Sequence, residues 1–90
     1  MKKLYHIIFK GRVQGVGFRY TTRYLAKKYN LCGWVMNLDN GDVELEVEGK
    51  VTDLDNFLDA LKEEFRGYIR DYNLEEAPFT NKYNDFQIRF

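Results

Sequence analysis

Residues 11–19 (Gly-Arg-Val-Gln-Gly-Val-Gly-Phe-Arg) combine the residue types best suited to chemistry in this 90-residue chain. Three glycines separate a strand-like run from a helix-like run, and glycine allows the backbone angles that turn several N–H groups towards one point. Arg19 falls in the first turn of the predicted helix, where the helix dipole disfavours a cation. A bound anion explains both features, because N–H groups at a helix start and a guanidinium can hold one phosphate. A glycine-rich turn without a ligand is the alternative.

The common nucleotide-binding loops fit this segment poorly. A P-loop ends in Gly-Lys followed by Ser or Thr, whereas Gly17 is followed here by Phe18 and Arg19. The dinucleotide fingerprint requires a third glycine at the position of Tyr20. The segment also contains no Ser or Thr that could bind magnesium. A site for a smaller anion is therefore favoured over a nucleotide site.

Asn37 is the second candidate site residue. It lies near the end of a predicted strand, where asparagine is disfavoured. Asn40 has an evident structural explanation, because Asn40-Gly41 is a strong signal for a hairpin turn. Asn37 has no such explanation, unless the strand end is frayed.

Apolar periodicity and turn residues predict five strands and two helices. The strands are predicted at residues 4–10, 31–38, 42–48, 69–74 and 86–90, and the first helix at residues 18–29. A second helix, with an apolar stripe at Leu54, Phe57, Leu58, Leu61 and Phe65, is predicted to start at a capping box at Thr52 after a turn at Gly49-Lys50 and to end at Gly67. Residues 75–81, with Pro78, are predicted as a loop.

This order predicts an α+β fold, a ferredoxin-like β-α-β-β-α-β sandwich. The expected sheet is antiparallel, with two helices on one face and a short additional C-terminal strand. The first two strands should run parallel, with the third between them, so their carboxyl ends share one sheet edge. The glycine loop and Asn37 should then lie about 10 Å apart, which leaves room for a phosphate and a water molecule.

Charge is distributed unevenly along a chain of zero net charge. Residues 1–38 contain eight Lys and Arg and no acid, whereas residues 39–90 contain the other six and all fourteen acids. The basic part favours an anionic ligand, although solvated surface charge also explains it. The acids of the third strand, Glu44, Glu46 and Glu48, are expected to form a solvated face. Carboxylates spread along an open strand face do not converge on a metal ion.

Cysteine content and hydropathy bear on the compartment. The single cysteine, Cys32, permits no internal disulfide, which fits a reducing environment. The chain has no apolar run of membrane-spanning length, and its first residues lack the apolar core of a signal peptide. We therefore expect a cytoplasmic protein that does not enter a membrane.

Residues 11–19 resemble the signature loop of the acylphosphatase family. Further similarity lies in residues 33–37 (Gly-Trp-Val-Met-Asn), residues 39–43 (Asp-Asn-Gly-Asp-Val) and residues 83–90 (Tyr-Asn-Asp-Phe-Gln-Ile-Arg-Phe), and it weakens between residues 66 and 82. The fold of this family is the ferredoxin-like sandwich, which agrees with the predicted order of elements.

The resemblance implies an enzyme that hydrolyses the carboxyl–phosphate bond of acyl phosphates without a metal or cofactor. It implies that Arg19 binds the phosphate and that Asn37 orients the attacking water. Backbone N–H groups of Gln14, Gly15, Val16, Gly17 and Phe18 would complete the phosphate cradle. The implied partners are an acyl phosphate and the product phosphate, with no nucleic acid or membrane, and the chain is expected to be a monomer.

Two functions other than hydrolysis are also compatible with a small ferredoxin-like domain. One is a noncatalytic phosphate- or carbamoyl-phosphate-binding domain, like the one that leads hydrogenase-maturation proteins, although those domains are embedded in much longer chains. The other is a nucleic-acid-binding ferredoxin-like module, whose third strand should be basic and aromatic. Five further polar residues are expected to be surface or packing residues rather than catalysts: His6, Arg12, Arg23, Lys27 and Cys32.

Overall fold

The computed structural model describes residues 1–90. The elements follow the predicted order: β1 (Lys2–Gly11), α1 (Phe18–Lys28), β2 (Cys32–Asn37), β3 (Val43–Lys50), α2 (Val51–Glu64), β4 (Ile69–Pro78) and β5 (Phe86–Arg89).

The five strands form one sheet in the order β4-β1-β3-β2-β5. β1 and β2 both pair antiparallel with β3, so they run parallel to each other on either side of it, as predicted. β5 pairs with β2 in parallel, which corrects the expectation of a wholly antiparallel sheet. This pairing arises because the chain crosses from β4 at one edge to the opposite edge before it forms β5. The carboxyl ends of β1 and β2 lie together along another edge of the sheet, the one formed by the ends of the strands.

The core lies between the helices and one face of the sheet. Val43, Leu45 and Val47 alternate along β3 and are fully buried, as the period of two in a strand requires. The predicted stripe of α2 is also buried. Together with apolar residues of β1 and α1, these side chains form one cluster of 18 buried residues. This cluster holds α1 against the sheet and thereby fixes the loop that precedes α1 at the edge where β2 ends.

Two predicted boundaries are wrong because cross-strand pairing extends the strands. β3 pairs with β1 as far as Lys50, and α2 begins directly at Val51, with no side-chain hydrogen bond at its N-cap. The predicted turn at Gly49-Lys50 and the cap at Thr52 are therefore absent. β4 likewise pairs with β1 as far as Pro78, within the predicted loop. Proline is tolerated there because β4 is an edge strand.

The acids of β3 do not form the expected solvated face. The crossover between β4 and β5, residues 79–85, lies over two of them, Glu46 and Glu48. Glu48 is only 2% exposed, and its Oε1 accepts hydrogen bonds from the backbone N–H and the hydroxyl of Thr80, at 2.9 and 2.8 Å. Glu46 accepts a hydrogen bond from the Tyr83 hydroxyl. These carboxylates anchor the crossover, and with it β5, to the sheet.

Replacing Tyr83 with phenylalanine should destabilise the fold. The Tyr83 hydroxyl donates to Glu46 and accepts from the indole N–H of Trp34 at 2.9 Å. Burial and the hydrogen bond to Glu46 raise the pKa of Tyr83, so the hydroxyl remains a donor at neutral pH. Its removal leaves the Trp34 N–H without an acceptor and leaves Glu46 with only the Lys82 ammonium, at 3.6 Å. We expect the free energy of unfolding in urea to fall by about 1–3 kcal/mol.

Tyr24→Phe is the matched control for this change, because Tyr24 is 67% exposed and its hydroxyl makes no hydrogen bond. We expect its unfolding free energy to match that of the wild type. Equal stability of Tyr83→Phe and the wild type would show that the crossover does not depend on this network.

Candidate active site

The loop between β1 and α1 exposes backbone N–H groups at the start of a helix. Gly15 and Gly17 have left-handed φ angles of 77° and 79°. Apart from the adjacent residues of the chain, no atom lies within 4 Å of the position that a Cβ would take at either glycine. Gly17 is the N-cap of α1, and the first turn of this helix has neither a side-chain cap nor an acid. The positive end of the helix dipole therefore meets open space, which suits an anion.

Gly11 has a different role from the other two glycines of the segment. It is the last residue of β1 and faces a bulge in the pairing with β4. A Cβ on Gly11 would lie 2.3 Å from the backbone oxygen of Tyr68. Glycine is required here by the close approach of two backbones rather than by a ligand.

Arg19 and Asn37 line one cleft of about 140 Å³ at this edge of the sheet. Arg19 reaches the cleft from the first turn of α1, and Asn37 reaches it from the last position of β2. The complete lining is Val13, Gly15, Gly17, Phe18, Arg19, Tyr20 and Asn37. Gln14 and Val16, whose N–H groups the family resemblance assigns to the cradle, belong to the loop but not to this lining.

The Arg19 side chain is half-buried and forms none of the ion pairs of the structure. Its guanidinium carbon lies 4.7 Å from the centre of the Phe90 ring. A ring face orients the planar group without neutralising its charge, so the charge remains available to an anion. Sequence reasoning did not assign Phe90 to the site, because its only signals were the alternation of a short strand and the family resemblance of residues 83–90.

Asn37 has a buried polar atom without a partner. Its Oδ1 makes no hydrogen bond, although it is shielded from solvent. Asn40 behaves as the turn signal predicted, because its side chain bonds the backbone N–H and the carboxylate of Asp42 at 3.0 and 3.2 Å. A buried acceptor without a donor costs about 1–3 kcal/mol, and such an atom is explained when a water or a ligand binds it.

None of the residues that the sequence placed outside the site lines this cleft. His6 bonds Glu44 at 2.7 Å on the open face of the sheet. Lys27 lies 3.8 Å from Asp85. Burial raises the pKa of the Cys32 thiol, which makes it a weaker nucleophile at neutral pH. The other two, Arg12 and Arg23, lie over the rings of Tyr68 and Tyr20.

Other features of the molecule offer less chemistry. A larger cleft of about 300 Å³ lies at the opposite sheet edge, and its buried acid, Glu48, is already bonded to Thr80. No three His, Cys, Asp or Glu side chains are grouped so that they could hold a metal ion. Neither helix combines the length and the apolar character needed to span a membrane.

Known proteins resemble this chain over nearly its whole length. The acylphosphatase family profile matches residues 5–88. The acylphosphatase of Bacillus pumilus is 41% identical over 86 residues, which cover 94% of this chain and 96% of that protein. The acylphosphatase of Treponema denticola is 46% identical over 84 residues, which cover 92% and 88%. The crystal structure of the Bacillus subtilis acylphosphatase matches with a TM-score of 0.90, at 39% identity and full coverage of both chains.

Proposed function

The chain belongs to the acylphosphatase family and hydrolyses acyl phosphates, and we propose that Arg19 and Asn37 carry this reaction without a metal ion. The observation that carries the proposal is that Arg19 and Asn37 line the same cleft, while the Oδ1 of Asn37 has no hydrogen-bond partner in the fold. One residue thus offers an acceptor for a water molecule, and the other offers a cation for a phosphate.

The phosphoryl group occupies the cleft at the start of α1 in this proposal. Arg19 makes a two-pronged contact with two phosphoryl oxygens, because its guanidinium is a planar fork. Backbone N–H groups of residues 14–18, from Gln14, Gly15, Val16, Gly17 and Phe18, hold the remaining charge. These donors are fixed before the reaction and stabilise the charge that spreads over the oxygens in the transition state.

Asn37 positions the attacking water. Its Oδ1 accepts a hydrogen bond from the water, whose oxygen then forms a bond to phosphorus. The bond between phosphorus and the carboxyl oxygen breaks, and its electron pair leaves with the carboxylate. The conjugate acid of this leaving group has a pKa of about 4, so it departs without a general acid. A phosphoryl oxygen takes the proton of the water, and the products are a carboxylate and inorganic phosphate.

Hydrolysis of benzoyl phosphate should be insensitive to metal removal. We expect the purified protein to release benzoate and phosphate at the same rate in buffer and in excess EDTA, because every charged contact in the proposal comes from the chain itself. Benzoate release is followed by ultraviolet absorbance, with buffer alone as the blank. An activity that EDTA abolishes and magnesium restores would contradict the metal-free mechanism.

The alternative functions gain no support from the structure. Glu46 and Glu48 of β3 are engaged by the crossover. The only basic residue of this strand is Lys50 at its end, and the strand has no aromatic residue on which a base could stack. We further propose that residues 1–90 act as one domain and as a cytoplasmic monomer that binds neither nucleic acid nor membranes. The single core cluster supports one domain, and the lone thiol of Cys32 supports a reducing compartment.

A further inference from the structure

The side chain of Gln14 connects the glycine loop to the turn between β2 and β3, which consists of residues 38–42. Its Nε2 donates to the backbone oxygen of Leu38 at 2.8 Å and to that of Asp42 at 2.9 Å. The turn is itself closed by a hydrogen bond from the N–H of Leu38 to the oxygen of Asp42, at 2.8 Å. One amide group therefore bonds both ends of the turn that directly follows Asn37.

The chemistry of these contacts explains the residue type. Both partners are carbonyl oxygens, which only accept hydrogen bonds, so the group that faces them must offer two donors. The neutral amide of glutamine does this with one nitrogen. Glutamate has nearly the same shape but offers only acceptors when ionised, and methionine offers neither donor nor charge. The same reasoning fixes the orientation of the amide, with its nitrogen towards the turn.

This connection joins the two halves of the proposed site. The phosphate cradle belongs to the loop before α1, whereas Asn37 belongs to β2, and the chain between them passes through the whole of α1. Without Gln14, the spacing of the two halves depends on the packing of the helix and the strands. Water attack requires that spacing to be accurate, since a shift of about 1 Å can lower a rate about 100-fold.

We propose that the Gln14 side chain is a positioning residue that sets the distance between the phosphate cradle and Asn37. This inference rests on the proposed function and adds to it, because the family resemblance assigns only the backbone N–H of Gln14 to the site. The side chain does not line the cleft, so it acts on the reaction through the turn and not by contact with the substrate.

The test measures phosphate affinity and turnover separately in Gln14→Met. The cradle N–H groups and Arg19 remain, so we expect inorganic phosphate to bind within about twofold of the wild-type affinity in titration calorimetry. Because Asn37 is then no longer held at its distance from the phosphate cradle, we expect kcat for benzoyl phosphate to fall about 10- to 100-fold. Gln14→Ala, which avoids a long apolar side chain at this half-exposed position, is the second variant and should show the same effects.

Tyr83→Phe is the control for a loss of stability alone, because Tyr83 contacts neither half of the site. It should keep its kcat although it unfolds at lower urea concentration. An unchanged kcat in both Gln14 variants would overturn the positioning role. Equal losses of kcat and phosphate affinity would also overturn it, because the side chain would then shape the cradle itself. A wild-type protein that binds phosphate but does not hydrolyse benzoyl phosphate would overturn the proposed function as well.

Discussion

Arg19→Ala should lower kcat/KM for benzoyl phosphate by at least about 1000-fold, through a higher KM and a lower kcat. Arg19 is the only cationic side chain that lines the cleft, so no other cation there can take its place. Loss of one oriented donor to a developing oxyanion typically costs about 100- to 1000-fold in kcat. Loss of an arginine in phosphoryl transfer costs up to about 10⁵-fold. The measurement is steady-state hydrolysis over a range of substrate concentrations.

The fold should tolerate this substitution. Arg19 lies in the first turn of α1, where a cation opposes the helix dipole by about 0.3–1 kcal/mol. Its contact with the Phe90 ring is worth a similar amount in the other direction. The two effects nearly cancel, so the urea midpoint of Arg19→Ala should stay close to that of the wild type. A large loss of activity in this variant therefore reports on the site.

Arg23→Ala separates the local effect of Arg19 from the general effect of positive charge. Arg23 lies one turn further along α1, over the Tyr20 ring and outside the cleft lining. Arg23→Ala removes the same positive charge as Arg19→Ala and should change kcat/KM by no more than about twofold. Arg19→Lys keeps the charge but loses the planar fork, and its activity should fall between those of Arg19→Ala and the wild type. Arg19→Ala with more than a tenth of wild-type kcat/KM would exclude the assigned role.

Short-range sequence patterns predicted which strands and helices form more accurately than they predicted where those elements end. The alternation of Val43, Leu45 and Val47 and the helical stripe of α2 depend on periods that a sequence carries openly, and both are confirmed. The extension of β4 to Pro78 depends on its partner strand β1, which no local pattern displays. The burial of Glu48 depends on Thr80, which the crossover brings over the sheet. The end of β4 and the burial of Glu48 are thus set by contacts between segments that are distant in the chain, and local sequence patterns do not show such contacts.

The same distinction applies to the site. The sequence indicates Arg19 and Asn37 as candidate site residues because each is disfavoured at its position: Arg19 is a cation at a helix start, and Asn37 is an asparagine in a strand. The side chain of Gln14 and the ring of Phe90 break no such preference. Their contacts exist only because the turn after β2 lies beside the loop and because β5 is added next to β2. Strain in local sequence can indicate a candidate residue, but its supporting contacts require the three-dimensional arrangement.

Asn37→Ala should separate activity from stability. We expect kcat for benzoyl phosphate to fall about 100- to 1000-fold, because the water loses the acceptor that aligns it. Inorganic phosphate should bind within about twofold of the wild-type affinity, since Arg19 and the loop are unchanged. The free energy of unfolding should stay equal or rise by up to about 1 kcal/mol, because the substitution removes a buried oxygen that has no partner.

Asn40→Ala is the matched control, because the two asparagines differ in what their side chains bond. Asn40→Ala loses both hydrogen bonds between the Asn40 side chain and Asp42, so its unfolding free energy should fall by about 0.5–1.5 kcal/mol. Its kcat should stay within about threefold of the wild-type value. Asn37→Ala should therefore lose activity and keep its stability, whereas Asn40→Ala should keep its activity and lose stability. If Asn37→Ala instead lowered stability and kept its kcat, Asn37 would be a structural residue of the strand end. The unpartnered oxygen argues against that outcome, because it forms no hydrogen bond that could stabilise the strand end.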